Sequence, residues 1–209
     1  MATKDMPVEA GQEARKVIAL DVDGTIADLA TQIIKIVKDR YNVELTVDQL
    51  TKYHVEELVP SMTRAEFVGI LKEIWDNYKE IGLVDKQIPR ILEDVHKDYE
   101  IHVVTAAVGT DDQIRDWLRI NNITYDKFVH VAHQADKQKE GADIYVDDYF
   151  EVAKQVAVLD KNVIIIKQPW SEIDEQVILN SHNKIVVAQS WVEVRELLLP
   201  RLLRREQAQ

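Results

Sequence analysis

Val17-Ile18-Ala19-Leu20-Asp21-Val22-Asp23-Gly24-Thr25 is the stretch that decides how this chain is read. Four apolar residues run straight into two acids one residue apart, and a glycine and a threonine follow. Two carboxylates at the carboxyl end of an interior strand repel each other and cost several kcal/mol to desolvate, unless a cation or a chemical task keeps them there. A strand running into a solvated acidic turn is the plain alternative. It does not need so apolar an approach, and three further segments weigh against it.

The rest of the composition narrows the chemistry. A chain of 209 residues, 46% of them hydrophobic, can bury a substantial core as one large domain or a domain with an insertion. The longest apolar run, Val163-Ile164-Ile165-Ile166, is far too short to span a bilayer, and Met1 to Pro7 lack the apolar stretch of a signal peptide. The expectation is a cytoplasmic protein with no membrane partner. Absence of cysteine excludes disulfides, thiolate metal ligands and a cysteine nucleophile, so a metal must be held by oxygen or histidine. A net charge of −11 argues against a nucleic-acid polymer as partner, while a small phosphorylated substrate stays open if positive charge is supplied locally. Residues 1 to 14 read as a loose polar leader.

Working outward from the first strand, short Val- and Ile-rich runs recur at Ile101 to Thr105, Phe128 to Ala132, Ile144 to Val146, Val163 to Ile166 and Ile185 to Val187. They have little polar alternation, which predicts strands covered on both faces. Helices lie between them. Pro89 opens one with Ile91, Leu92 and Val95 inward, and Thr110 caps another with Ile114, Trp117 and Leu118 on one face. This alternation predicts an α/β fold with a doubly wound parallel sheet, whose ligands sit at the carboxyl ends of the strands.

One region breaks the pattern. Between the first and second strands no convincing strand is found, but helices are predicted at Leu29 to Tyr41 and after the capping box Thr63-Arg64-Ala65-Glu66. The second helix carries Phe67, Ile70, Leu71, Ile74, Trp75 and Tyr78 at the spacing of one face, which is ordinary core patterning. A helical insertion that leaves just after the acidic strand end lies over it, as a cap.

The other strand ends carry matching chemistry. Ile101-His102-Val103-Val104 delivers Thr105, followed by Ala106; Ile144-Tyr145-Val146 delivers the acid pair Asp147-Asp148; Lys137 stands ten residues before Asp147. Such a constellation suits phosphoryl transfer. Asp21, Asp147 and Asp148 are the hard oxygen ligands Mg²⁺ requires. Asp21 is the candidate nucleophile, forming an aspartyl-phosphate, and Asp23 the candidate proton donor to the leaving alcohol and later the base for water. Lys137 balances charge on the transferring group, the Thr105 hydroxyl donates to it, and Gly24 lets the backbone turn closely beneath the phosphate.

These four segments, in this order, resemble the motifs of the haloacid dehalogenase-like phosphatases over roughly residues 15 to 195. The resemblance implies a Rossmann-like core from 15–28 and 84–199, a cap at 29–83, and dependence on Mg²⁺. It also implies that the backbone carbonyl of Asp23 joins the metal site and that Asp148 is the direct ligand of the acid pair. The acid at Asp23 argues against the dehalogenases. A nearer resemblance, carried by Asp21 to Asp28, Ile88-Pro89, Asp136-Lys137, Asp143 through Asp148 and Gln168-Pro169-Trp170, is to the 5'(3')-deoxyribonucleotidase branch. It implies a substrate site that includes Gly24, Leu29, Thr105, Ala106 and Lys137. Two departures bear on selectivity: Ala106 replaces a common serine, and Leu29 stands where several members carry a base-contacting Phe.

Two other readings compete with a nucleotidase. A phosphatase of sugar phosphates or phosphoglycolate shares every motif and differs in cap contacts alone. A regulatory module that binds Mg²⁺ or a phosphorylated ligand without turnover has no need of both Asp21 and Asp23. At the carboxyl end, Ser190-Trp191-Val192-Glu193 predicts a capped helix closing the core through Val194, Leu197 and Leu198, and 200–209 reads as a basic, solvated tail.

Overall fold

The computed structural model describes residues 14–199; the expected tail, and the expected leader apart from Ala14, lie outside the described residues. Six strands form one parallel sheet: β1 (Lys16–Leu20), β4 (Tyr99–Thr105), β5 (Lys127–His130), β6 (Ile144–Asp147), β7 (Asn162–Ile166) and β8 (Ile185–Ala188). Their order across the sheet is β5-β4-β1-β6-β7-β8. The chain winds outward from β1 through β4 to β5, returns to the far side of β1 as β6, and winds outward again. The order therefore reverses between β1 and β6, the place where such sheets open a crevice for ligands.

Period-two alternation divides the interior. Ile18 and Leu20 of β1, with Ile101 and Val103 of β4, face one apolar layer, which takes in α3 (Ile88–His96), α4 (Asp111–Ile120) and α7 (Trp191–Leu198). Ala19, Val104, Tyr145, Val163 and Ile165 face the other, covered by α5 (Phe150–Val158) with Val177 and Ile178 of α6 (Glu175–Asn180) packed against it. Cover on both faces explains why the strands read as unbroken apolar runs. The exception is β5, an edge strand with no fully buried residue. It ends at His130 rather than Ala132, because its last pairing is Thr105 with His130.

The helices form where their caps and stripes require. Thr110 accepts from Gln113 N at 3.3 Å to start α4, whose Ile114, Trp117 and Leu118 are buried. Pro89 lies in the first turn of α3, and Ile91, Leu92 and Val95 point inward. Ser190 caps α7; Val194 and Leu198 are buried there, but Leu197 is 43% exposed and does not close the core as expected.

Between β1 and β4 lies the helical segment, with α1 (Leu29–Tyr41) and α2 (Arg64–Asp76) packed on each other. The Thr63–Glu66 capping box is formed in both directions. Phe67, Ile70, Ile74 and Trp75 are buried; Leu71 is half-buried, and Tyr78 falls in a 3-10 turn beyond the helix. Two strands absent from the sequence reading lie where the segment leaves and rejoins the sheet. They are β2 (Ala27–Asp28) and β3 (Gly82–Leu83), an antiparallel pair two residues long. No helix among the described residues is long and apolar enough to cross a membrane.

Candidate active site

Asp21 directly extends β1 and its backbone N–H donates to Val146 O at 3.0 Å, so its side chain emerges between β4 and β6. The chain then turns tightly, with Gly24 N–H donating to Ala27 O at 3.0 Å. Gly24 has φ +75°, and a Cβ there would lie 2.1 Å from Asp148 Oδ2. Both the backbone conformation and the space beneath the fourth segment require glycine.

Asp21, Asp147 and Asp148 converge at the bottom of the crevice, all buried, with carboxylate oxygens within 4.8 Å of one another. Lys137, only 1% exposed, stands among them. Its Nζ lies 2.7 Å from Asp21 Oδ1, a close ion pair, and donates to Asp147 Oδ2 at 2.9 Å. Asp147 also accepts from Tyr149 N at 2.9 Å. Asp148 accepts from the Trp170 indole at 2.5 Å, and the buried Thr25 hydroxyl lies 3.4 Å from both Asp148 Oδ1 and Asp21 Oδ2. Three carboxylates against one ammonium leave a dry site negative, and every available donor is a hard oxygen. This donor set fits a divalent cation such as Mg²⁺.

The electrostatics report the same excess. Burial pushes the Asp21 carboxyl up to about 6, with Lys137 pulling it down and Asp147 adding to the rise. Burial, then the charges of Asp21 and Asp147, lift Asp148 well above the carboxylate range, against Trp170 and Lys137. For Lys137 burial disfavours the charge, but Asp147 and Asp21 outweigh it and hold the ammonium above the ordinary lysine range. Asp23, half-buried and on the cavity wall, is raised to about 7 by burial and by Asp21, opposed by Lys137 and the Trp75 indole. Its carboxylate is not one of the converging three, so only its backbone carbonyl is left for a metal role. An acid near 7 matches proton transfer at neutral pH.

Around this floor, the loop after β4 and the segment carrying Lys137 are held by side chains. The Thr105 hydroxyl accepts from Ala107 N at 3.1 Å, which leaves its own proton to donate. The 3-10 segment Gln134–Glu140 bears Lys137 and is tied down at its end: Glu140 Oε1 lies 2.6 Å from both His102 Nδ1 and Lys127 Nζ. Lys139, two residues on, pairs instead with Asp136 at the surface.

Above the floor opens a cavity of about 560 Å³ between sheet and helical segment. Leu29, Ile33, Leu50, Phe67 and Leu71 make one wall apolar, while Gln134 and Gln155 contribute polar groups. Leu29 is the first residue of α1, whose N-cap is Asp28. Tyr53 also lines the cavity. Its ring stacks on Tyr149 at 3.8 Å between centroids, and its hydroxyl accepts from Gln134 Nε2 at 2.8 Å. Beside it Lys52 pairs with Glu172 at 2.5 Å.

The structure brings Asp21, Asp147, Asp148 and Lys137 together in the floor of one crevice and sets Asp23, Gly24, Leu29 and Ala106 along the cavity, while Thr105 is buried at the end of β4, directly before Ala106. The sequence reading missed the braces. Gln168 donates to Gly24 O at 3.0 Å, Trp191 to Thr25 O at 3.0 Å, and the Ser171 hydroxyl to Asp148 O at 2.9 Å. Gln168-Pro169-Trp170 follows an apolar strand just as Thr105 and Asp147 do, which was the available signal. Tyr53 carried none.

No family model matches the sequence, and no curated protein matches it. Solved structures do share its fold. A haloacid dehalogenase-like hydrolase, SP0104 from Streptococcus pneumoniae, superposes with a TM-score of 0.62 at 16% identity, over 86% of this chain and 96% of that one. The chain has the fold of the haloacid dehalogenase-like hydrolases. The HAD-hydrolase YfnB from Bacillus subtilis, bound to magnesium, gives 0.55 at 14% identity over 89% and 99%. Protein Tyrosine Kinase A from Mycobacterium tuberculosis gives 0.64 at 16% over 90% and 99%. A fold that carries such different names does not choose an activity, so the chemistry has to be argued from the site.

Proposed function

We propose that this protein is a Mg²⁺-dependent phosphomonoester hydrolase working through an aspartyl-phosphate. The observation that carries this reading is the buried cluster of Asp21, Asp147 and Asp148 around Lys137, negative in sum and roofed by a cavity. The magnesium bound to YfnB agrees with the oxygen-only donor set here. Asp21, Asp148, Asp147 and the carbonyl of Asp23 would hold the ion. Bound there, it neutralises the acids and the phosphate so that the two can approach.

The residues then divide the work. One Asp21 oxygen attacks phosphorus in line as the ester bond breaks, and protonated Asp23 gives its proton to the leaving alkoxide. The Asp23 carboxylate next takes a proton from water, which attacks the phosphoryl-aspartate and releases phosphate and free Asp21. Lys137 and the Thr105 hydroxyl stabilise charge on the transferring oxygens.

For the substrate we propose (deoxy)nucleoside monophosphates. An apolar wall facing polar amides, in a volume of about 560 Å³, suits a phosphate ester with a flat, partly polar body better than compact phosphoglycolate. The test is phosphate release from deoxynucleoside monophosphates, sugar phosphates, phosphoglycolate and p-nitrophenyl phosphate, with and without Mg²⁺, using Asp21→Asn as blank. Turnover of nucleotides above the rest is expected. Preference for a compact ester would overturn the nucleotidase assignment, and binding with no turnover of any ester would leave a non-catalytic phospho-ligand module.

A further inference from the structure

The chain holds four tryptophans, and three of their indole N–H groups are accounted for. Trp117 donates to Ile81 O at 2.9 Å, Trp170 to Asp148 and Trp191 to Thr25 O. Trp75, on α2, is fully buried and its Nε1 has no hydrogen-bond partner among the described residues. A buried N–H in that condition is uncommon and calls for a reason. The second orphan is its neighbour: Asp23 Oδ1 is also buried without a partner among the described residues, and the Trp75 indole lies within reach of that carboxyl.

The indole is held there by packing from two sides. Its ring meets Trp117 of α4 edge to face at 6.3 Å. On the other side lies the loop after β4, where Gly109 leaves the room: a Cβ on Gly109 would stand 2.8 Å from Trp75 Cγ and Cδ2. So a side chain of the helical segment is wedged against the core, with its one polar group beside the half-buried acid.

We propose that Trp75 is the positioning residue for Asp23: its indole N–H orients the carboxyl that exchanges protons with the leaving group, which couples the placement of α2 to proton transfer. This rests on the hydrolase reading above. Trp75 keeps its own proton throughout. Asp23 gives one to the ester oxygen as the P–O bond breaks and recovers one from water as the new P–O bond forms.

The first test needs no activity. In protein labelled with ¹⁵N at the indoles, Trp75→Phe identifies the Trp75 signal by its loss. Asp23→Asn should shift that signal and leave the Trp117 and Trp191 signals in place. An unmoved Trp75 signal overturns the proposal.

The second test is kinetic. Trp75→Phe should lower kcat/KM for an alkyl phosphate about tenfold or more beyond its effect on p-nitrophenyl phosphate, whose phenol leaves without protonation. In an Asp23→Asn background the same change should add no further discrimination, because the two residues act as one unit. Equal losses for both esters, or losses that add in the double variant, mean that Trp75 only packs or touches substrate itself. Should Trp75→Phe fail to fold, Gly109→Ala displaces the ring with its N–H intact and should give the same leaving-group signature; its absence also overturns the proposal. If Asp23→Asn alone treats both esters equally, the proton-transfer role of Asp23 falls, while the indole shift still reports on the Trp75–Asp23 contact.

Discussion

Lys137 Nζ lies 2.7 Å from Asp21 Oδ1 and 2.9 Å from Asp147 Oδ2, so one buried ammonium bridges the ends of two adjacent strands, β1 and β6. The strand pairing brings the acids together, and the fastened segment Gln134–Glu140 delivers the cation between them. Among the described residues, neither acid pairs with a second ammonium. The remaining charge is what a divalent cation would answer, so the structural and chemical demands on this crevice are the same demand.

Replacing Lys137 by Ala should cost about 2 to 4 kcal/mol of transition-state stabilisation, the range for deleting one preorganised donor. It also leaves buried acids unpaired, so the melting temperature without Mg²⁺ should fall and recover partly with Mg²⁺. Steady-state kinetics and calorimetry on the same preparation check both. Unchanged kcat/KM would remove Lys137 from the transition state.

Much of this arrangement was legible from residues alone, for physical reasons. The strands of the sheet other than β5 announce themselves because burial on both faces leaves Val and Ile little room to alternate with polar residues. The site acids are visible because Asp21 and Asp147 interrupt such runs, where an unpaired carboxylate is costly. Lys137 gains meaning only by distance in the chain from Asp147, since a lysine in a polar segment ordinarily points to solvent. The β2–β3 ribbon is too short to show a period, and Trp75 reads as one more member of an apolar stripe. Its indole N–H acquires significance from Gly109 and Asp23, which only the fold brings near.

Without metal, the acids should make stability fall as pH rises. Asp21, near 6, and Asp23, near 7, both lie above the ordinary value of 3.8, so between about pH 4 and 7 the folded state binds more protons than the unfolded one. Their contribution is fully present below the unfolded value and lost as pH passes the folded values. Mg²⁺ competes with those protons, so its stabilisation should widen from pH 5 to pH 8. The difference in melting temperature between wild type and Asp21→Asn isolates the effect: the variant should be inactive, and its advantage without Mg²⁺ should grow with pH. A variant less stable than wild type at pH 8 without Mg²⁺ would contradict the repulsion.

Gly24→Ala should disable the site without replacing any acid. The new methyl must clear Asp148 Oδ2, 2.1 Å from its ideal position, on a backbone at φ +75° that costs an L-residue about 1 to 2 kcal/mol. Asp148 or the turn has to move, and Trp170, bonded to the same carboxylate, moves with it. Mg²⁺ titration followed by calorimetry should give at least about tenfold weaker binding, the scale expected when a ligand's supporting shell is disturbed. Wild-type Mg²⁺ affinity would mean that Asp148 is not a ligand.

Selectivity is the last link, and Leu29 tests it. It opens α1, is nearly buried, and shares the cavity wall with Leu50 and Phe67. A Phe at this position would turn an aromatic face to the cavity, and stacking on a base is worth about 1 to 3 kcal/mol in single-strand binders. If the cavity takes a nucleoside, Leu29→Phe should raise kcat/KM for deoxynucleoside monophosphates relative to ribose 5-phosphate, which offers no base. If Leu29 only packs α1, the larger ring overfills the wall and costs about 1 to 3 kcal/mol of stability with no change in preference. Melting temperature and the ratio of the two kcat/KM values separate these outcomes. A less stable variant that treats both esters alike would end the nucleotidase assignment and leave the hydrolytic chemistry of the floor standing, because that chemistry is assigned to Asp21, Asp23, Thr105 and Lys137 and not to Leu29.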